Sequence, residues 1–242
     1  MIACSERGPA PAQAPAHPDV ALITIDTLRA DRVGRGLTPT IDALAARGVR
    51  FSHARSAVPL TLPSHVTIMT GLLPVEHGVR ENGTVFKAET PPLARVLSNA
   101  GYATAAFVGA YVLDRRFGLS DGFDVYDDRV SRDPSAMARL EAERKGGAVV
   151  DAALTWLATA RRPYFLWVHL YDPHAPYDPP ADFLAKAKGN AYDGEVVYAD
   201  AQVARLLDAV RQRDPSNATL IAVAGDHGEG LGDHGEQTHG MS

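Results

Sequence analysis

The run Val20–Ala21–Leu22–Ile23–Thr24–Ile25 is continuous, apolar and rich in β-branched residues, and it ends abruptly at Asp26. A short run of this kind, without polar alternation, is the pattern of a strand buried on both faces. Such strands belong to parallel sheets covered by helices on each side. Ala103–Gly109, Tyr164–Leu170 and Thr219–Ala224 repeat the pattern, and the last stops at Gly225–Asp226. Helix signals lie between them. Thr38 as cap and Pro39 as first residue open a helix with Ile41, Leu44 and Ala45 on its apolar face and Gly48 at its end. Thr61–Thr70 carries its own start signal in Pro63–Ser64, and Thr90–Pro91–Pro92 opens a helix that closes at Gly101. Arg144–Ala160 places Val149, Ala152, Ala153, Trp156 and Leu157 on one face, and Glu195–Arg211 is also helical. Val49–Ala54 is read as a further strand, Asp121–Arg144 as an exposed charged excursion, and Pro173–Gly194 as a long loop. The alternation predicts an α/β domain in three layers, with a central, mostly parallel sheet between helices.

Composition narrows the function classes. The chain of 242 residues carries 24 Lys and Arg against 29 Asp and Glu, a formal charge of -5. That balance argues against a nucleic-acid binder, which would show a basic stripe. No apolar run reaches the length of about 20 residues that spans a bilayer. The single cysteine excludes an internal disulfide scaffold and a cysteine-based zinc site. Met1–Ile2–Ala3–Cys4 resembles the end of a bacterial lipoprotein signal, in which Cys4 would carry a lipid anchor and the protein would work outside the cytoplasm. The alternative is an unstructured start with an incidental cysteine. In either case residues 1–18, rich in Ala and Pro, read as an extended tether before a domain at 19–242.

In sheets of this class, ligands sit beyond the carboxyl ends of the strands. Three polar clusters fall there. Asp26 follows the first strand. His169–Leu–Tyr–Asp172–Pro–His174 follows the fourth, with His169 read as packed and His174 as better placed for a substrate. Gly225–Asp226–His227–Gly–Glu–Gly–Leu–Gly–Asp–His–Gly235, with His239 shortly after, gathers acids and histidines among glycines. Asp and neutral imidazole suit a divalent cation of intermediate softness. Thr61 opens a helix, where Thr is a common N-cap. The same position suits an activated hydroxyl facing an anion at the positive end of the helix.

Four segments in order, Asp26–Thr–Leu–Arg–Ala–Asp31, Thr61–Leu–Pro–Ser–His65 running on to Thr70–Gly71, Asp172–Pro–His174–Ala–Pro–Tyr177 and Gly225–Gly235, resemble the sulfatase family of the alkaline phosphatase superfamily. The likeness runs from about residue 19 to the last residue. It implies an alkaline phosphatase-like fold and a metal-dependent hydrolase or transferase of phosphate, phosphonate or sulfate esters, acting on a small-molecule, glycan or lipid-linked anionic ester. It implies a smaller C-terminal part that this chain, stopping at Ser242, lacks.

Carried over residue by residue, the resemblance makes Asp26, Thr61, Asp226 and His227 ligands of one divalent ion. Zinc or manganese suits the His better than calcium, with magnesium and calcium as the lesser alternatives. A second ion would draw on Asp172, His174 or His239. The resemblance makes Thr61 the nucleophile, Asn82 a donor to a nonbridging oxygen, and His174 and His239 donors or acceptors of the leaving-group proton. Two departures stand out. Sulfatases convert a Cys or Ser to formylglycine, whereas Thr61 would give a ketone at best, and the motif's Arg is here His65. A Thr nucleophile resembles the branch of phosphodiesterases and phosphoethanolamine or phosphoglycol transferases. Sulfate hydrolysis and a catalytically inactive anion- or glycan-binding relative are the alternatives. Tyr111 stands where sulfatases carry a Lys and a His, and would offer a hydroxyl instead.

Overall fold

A computed structural model describes residues 17–131, 135 and 142–240. Cys4, most of the Pro/Ala tether and the end of the chain lie outside the described residues. Five parallel strands form one sheet: β1 (Val20–Ile25), β2 (Ala103–Val108), β3 (Val125–Asp127), β4 (Tyr164–Leu170) and β5 (Leu220–Gly225), in the spatial order β3-β2-β4-β1-β5. β1 and β4 are central and match their expected bounds.

Strand alternation sorts the core into two layers. On one face Leu22, Ala106, Phe165 and Trp167 pack with Leu62, Val66 and Met69 of α2 (Thr61–Thr70). A short α3 (Pro74–His77) follows α2, and α4 (Leu93–Asn99) adds Ala94 to the same layer. On the other face Ile23, Ile25, Leu166, Val168 and Leu170 pack with α5 (Gly146–Leu157) and with Ala199, Val203 and Leu206 of α7 (Ala191–Arg213). α1 (Pro39–Arg47) joins them through Ile41. The result is the three-layer α/β fold expected, covered on both sides.

The departures have local reasons. Val49–Ala54 is not a strand. Val49 and Phe51 are 77% and 79% exposed, and among the described residues no neighbouring strand offers the segment a ladder. Asp121–Arg144 is not wholly an exposed excursion. It contains β3, whose Tyr126 and Asp127 are buried; Arg129 and Arg144 pair with Asp127, and Arg115 with Asp128 just after the strand. Pro173–Gly194 is broken by a short α6 (Ala181–Lys186). Thr38 does not cap α1 either: its hydroxyl donates to Asp42. The carboxylate of Asp200, reaching from α7, accepts the Thr40 and Ile41 N–H groups at 3.0 Å each. It ties two helices together and places a negative charge on the positive end of one.

Asp200 is buried and serves two orphan donors. Asp200→Ala is therefore expected to lower unfolding stability by about 2 kcal/mol, as measured by denaturant titration. An unchanged midpoint would show that α1 does not need this cap.

Candidate active site

Parallel register brings the two ends of the chain together. Ile25 lies opposite Gly225, so Asp26 and Asp226 emerge side by side, both buried. The Asp26 N–H donates to the Leu170 carbonyl at 2.9 Å and the Asp226 N–H to the Ile25 carbonyl at 3.3 Å. α2 brings Thr61 against them. The hydroxyl of Thr61 donates to Asp26 Oδ2 at 3.3 Å and lies 3.4 Å from His227 Nε2. His227 Nε2 is 3.4 Å from Asp26 Oδ1 and 3.6 Å from Asp226 Oδ2. Thr61 is not a helix cap. Leu60 occupies the cap position, and the Thr61 side chain turns away from its own helix toward the acids.

The arrangement fits a cation. Ligands about 2.1 Å from a four-coordinate ion stand about 3.4 Å apart, close to the separations here. Asp26 Oδ1 and Asp226 Oδ2 are buried without a hydrogen-bond partner, a costly state for a carboxylate that a bound cation relieves. His227 Nδ1 lies 3.0 Å from the Gly228 carbonyl. A carbonyl only accepts, so Nδ1 carries the ring proton and the Nε2 lone pair faces the two acids. Burial would raise the Asp26 carboxyl, but the His169 ring, with His227 and His174 nearby, outweighs it and holds Asp26 below the usual carboxylate range. Asp226 goes the other way: burial, and then the charge of Asp26, push it well up. Two like groups this close do not both ionise unless a cation joins them.

A second group, His65, His169 and Asp226, also brings its donor atoms within 4.8 Å of one another. Its histidines are already committed. The Gly109 N–H donates to His169 Nδ1 at 3.3 Å, so the proton sits on Nε2, 3.4 Å from Asp26 Oδ2. His169 thus presents a hydrogen rather than a lone pair, in line with its reading as a packed residue. His65 Nδ1 meets the Thr61 carbonyl at 2.7 Å and Nε2 the Thr24 hydroxyl at 2.9 Å. Burial pushes His65 down to about 3, so the ring is neutral.

His174 and His239 stand beside this centre. The His239 ring lies 4.6 Å from that of His227 and 5.0 Å from that of His174, which stacks on Tyr171 at 4.2 Å. Glu229, which the sequence reading did not single out, accepts from Tyr177 at 2.9 Å through Oε2 and lies 3.3 Å from His239 Nδ1 through Oε1. Burial opposes the charge on His239, but Glu229 outweighs it and raises the imidazole above its usual value. Arg29, also missed, joins the two ligand loops. Its guanidinium donates to the Glu229 and Gly230 carbonyls at 2.7 and 3.2 Å and reaches Asp233 at 2.8 Å. A Cβ on Gly230 would run into the Glu236 and Thr238 carbonyls, so this fold-back needs glycine. Tyr192 donates to the Thr27 carbonyl at 2.7 Å and accepts from the Arg29 N–H at 2.9 Å, bracing the turn after Asp26. Ser64 donates to the Asp226 carbonyl at 2.6 Å, fastening α2 to the same centre.

One expectation gains a detail and two change. Asn82 Oδ1 accepts the Leu62 N–H at 3.0 Å. Asn82 thereby caps the helix that carries Thr61, and that N–H is not free for an anion. Asp172 Oδ2 accepts the Gly146 N–H at 2.7 Å, so its carboxylate is turned to the start of α5 rather than to a second ion. The Tyr111 hydroxyl accepts from Arg116 at 2.6 Å in the core layer, not at the site. The segment carrying His174 is held further along by Glu195. Its Oε1 accepts the Asp178 N–H at 2.9 Å and lies 3.6 Å from Lys145 Nζ. Burial pushes the Glu195 carboxyl up to about 7, helped by Asp172 and Glu143 and opposed by the Asp178 N–H and Lys145.

The family described as Sulfatase has a sequence model that matches residues 18–242. The arylsulfatase of Clostridium perfringens is 24% identical over 312 residues, covering 90% of this chain and 64% of that protein. The N-acetylgalactosamine-6-sulfatase of Canis lupus familiaris is 27% identical over 282 residues, covering 96% of this chain and 54% of that protein. The crystal structure of the phosphonate monoester hydrolase of Agrobacterium radiobacter superposes with a TM-score of 0.71 at 20% identity, covering 92% of this chain and 64% of that one. The chain therefore spans 54% to 64% of the length of these proteins.

Glu195 gives the site a pH signature. Its folded value near 7 exceeds its ordinary 4.5, so the folded state holds a proton that the unfolded state has released between those values, and stability falls as pH rises through that window. Glu195→Gln keeps the acceptor for Asp178 and removes the charge. It is expected to melt above the wild type at pH 8, with the gap closing below about pH 5. A gap independent of pH would contradict this.

Proposed function

The match across residues 18–242 means that this chain belongs to the sulfatase family, and on that premise we propose that it hydrolyses or transfers phosphate or phosphonate esters through a covalent intermediate on Thr61. The observation that carries the reading is the Thr61 hydroxyl, turned off its own helix and set 3.3 to 3.4 Å from Asp26 and His227. Asp26, Asp226, His227 and Thr61 would hold one divalent ion, zinc or manganese by donor chemistry, which when bound lowers the pKa of a hydroxyl and polarises the ester.

The residues divide the remaining work. Asp26 accepts the hydrogen bond of the Thr61 hydroxyl and orients it. Thr61 passes its hydroxyl proton to Asp26 and attacks phosphorus in line as the bond to the leaving oxygen breaks. His239, raised by Glu229, or His174 beside it gives that oxygen a proton. Water or an acceptor alcohol then displaces Thr61 and restores the hydroxyl. Asn82 keeps the first turn of α2 in place, and its amide N–H is the group for a nonbridging oxygen. A phosphonate monoester hydrolase shares the fold, which supports this chemistry. The names of the sequence relatives support a second reading, sulfate ester hydrolysis. Thr61 weighs against it, because oxidation of a threonine yields a ketone and not the formylglycine aldehyde.

With manganese or zinc present, wild type is expected to turn over an aryl phosphodiester or aryl phosphonate faster than an aryl sulfate. Thr61→Ala should lower that turnover at least about a thousandfold. Unchanged turnover in Thr61→Ala would overturn the proposal, and preference for the sulfate would favour the second reading. Independently, saturating manganese should raise the melting temperature of wild type and leave Asp226→Asn unmoved.

A further inference from the structure

Thr24 lies in β1 and Trp167 in β4, and His65 follows Thr61 by one turn of α2. Strand alternation points Thr24 and Trp167 to the face that α2 covers, where both meet His65. All three are fully buried. Their contacts leave no freedom in where the hydrogens lie. The Trp167 indole N–H donates to Thr24 Oγ1 at 3.0 Å. An indole nitrogen can only donate, so Thr24 accepts there and keeps its own hydrogen, with His65 Nε2 2.9 Å away. The carbonyl that faces the other ring nitrogen can only accept, so Nε2 carries no proton and takes the Thr24 hydrogen. The proton of the neutral ring sits on Nδ1, which donates to the Thr61 carbonyl at 2.7 Å. The reverse tautomer would set the Nδ1 lone pair against that carbonyl with no hydrogen between them, leaving buried groups unsatisfied.

From this chain of donors we infer that Trp167 and Thr24 are positioning residues for Thr61: Trp167 orients the Thr24 hydroxyl, Thr24 gives its hydrogen to the bare Nε2 of His65, and His65 holds the carbonyl of the residue whose hydroxyl faces Asp26 and His227. The inference rests on the reading of Thr61 as part of the metal and nucleophile centre. His65 then stands where the family motif has an arginine, as a neutral strut. Neither of its nitrogens is free for an ion or for proton transfer.

The test uses protein labelled with ¹⁵N-histidine. Long-range proton–nitrogen correlation, with the His65 signals assigned by their loss in His65→Asn, is expected to show a protonated Nδ1 and a bare Nε2. Thr24→Val keeps the side-chain shape and removes the hydroxyl. It should shift the Nε2 signal by removing its donor and weaken manganese binding by about tenfold, read by titration calorimetry, while Thr24→Ser restores both. An Nε2–H tautomer in wild type overturns the inference, and that spectrum needs no variant to fold. So does a Thr24→Val protein with a wild-type Nε2 signal and wild-type manganese affinity. If wild type binds no manganese, the metal-centre reading fails, and the nitrogen spectrum still decides whether His65 is fixed as described.

Discussion

Two carboxylates buried side by side, at the ends of adjacent parallel strands, are the constraint around which this chain is arranged. Asp26 and Asp226 are separated by most of the sequence, yet the β1–β5 register leaves them no other place. Each keeps an oxygen without a partner. Burying such a pair costs far more than an ordinary polar contact returns. The surrounding contacts act to keep that costly arrangement in shape: Ser64 fastens α2 to the Asp226 backbone, Arg29 ties the first ligand loop to the last, and Tyr192 braces the turn between Asp26 and Arg29.

The histidines near the centre show how backbone contacts assign roles that residue type alone leaves open. His65, His169 and His227 lie within a few ångströms of the same acids. His227 has its proton drawn to the Gly228 carbonyl, which leaves the Nε2 lone pair facing the acids. His169 receives an amide hydrogen on Nδ1 and must present a hydrogen to Asp26. His65 is spent on Thr61 and Thr24. The distinction between ligand and support is set by hydrogen-bond partners, not by distance to the acids.

Much of the fold was legible because its strands are buried on both faces. β1 and β4 are unbroken apolar runs with abrupt polar ends, and no other element type fits such runs between helix signals. β3 escaped because three residues, one acidic and one exposed, carry no period; Arg129 and Arg144 hold it at Asp127, and Arg115 holds Asp128 just beyond it. Val49–Ala54 misled because alternation states only which side of a strand would be apolar, and a strand also needs a neighbour. In the site, residue types with few alternative uses, Asp226–His227 among glycines and Asp26 at a strand end, were readable. Glu229, Arg29 and Glu195 were not, because their contacts lie across sequence separations that no local pattern encodes. Asp172 was found but assigned differently, since its side chain can serve a ligand or a helix start, and only geometry decides.

That division also says where the stability of the chain must come from. The centre contributes little of it: one acid held below and one above the usual carboxylate range mark an arrangement that is unfavourable without a cation. The two apolar layers must therefore hold α2 against β1 and β5 on their own. They are built to do so, with Leu62, Val66 and Met69 of α2 packed on Phe165 and Trp167, while α5 and α7 close the opposite face. Trp167 belongs to both systems. Its ring is core, and its single N–H begins the chain of hydrogen bonds that ends at Thr61. Packing of the sheet and aim of the hydroxyl are thus joined in one side chain, and a centre preorganised in this way gives up no ordering entropy when an ion or an ester arrives.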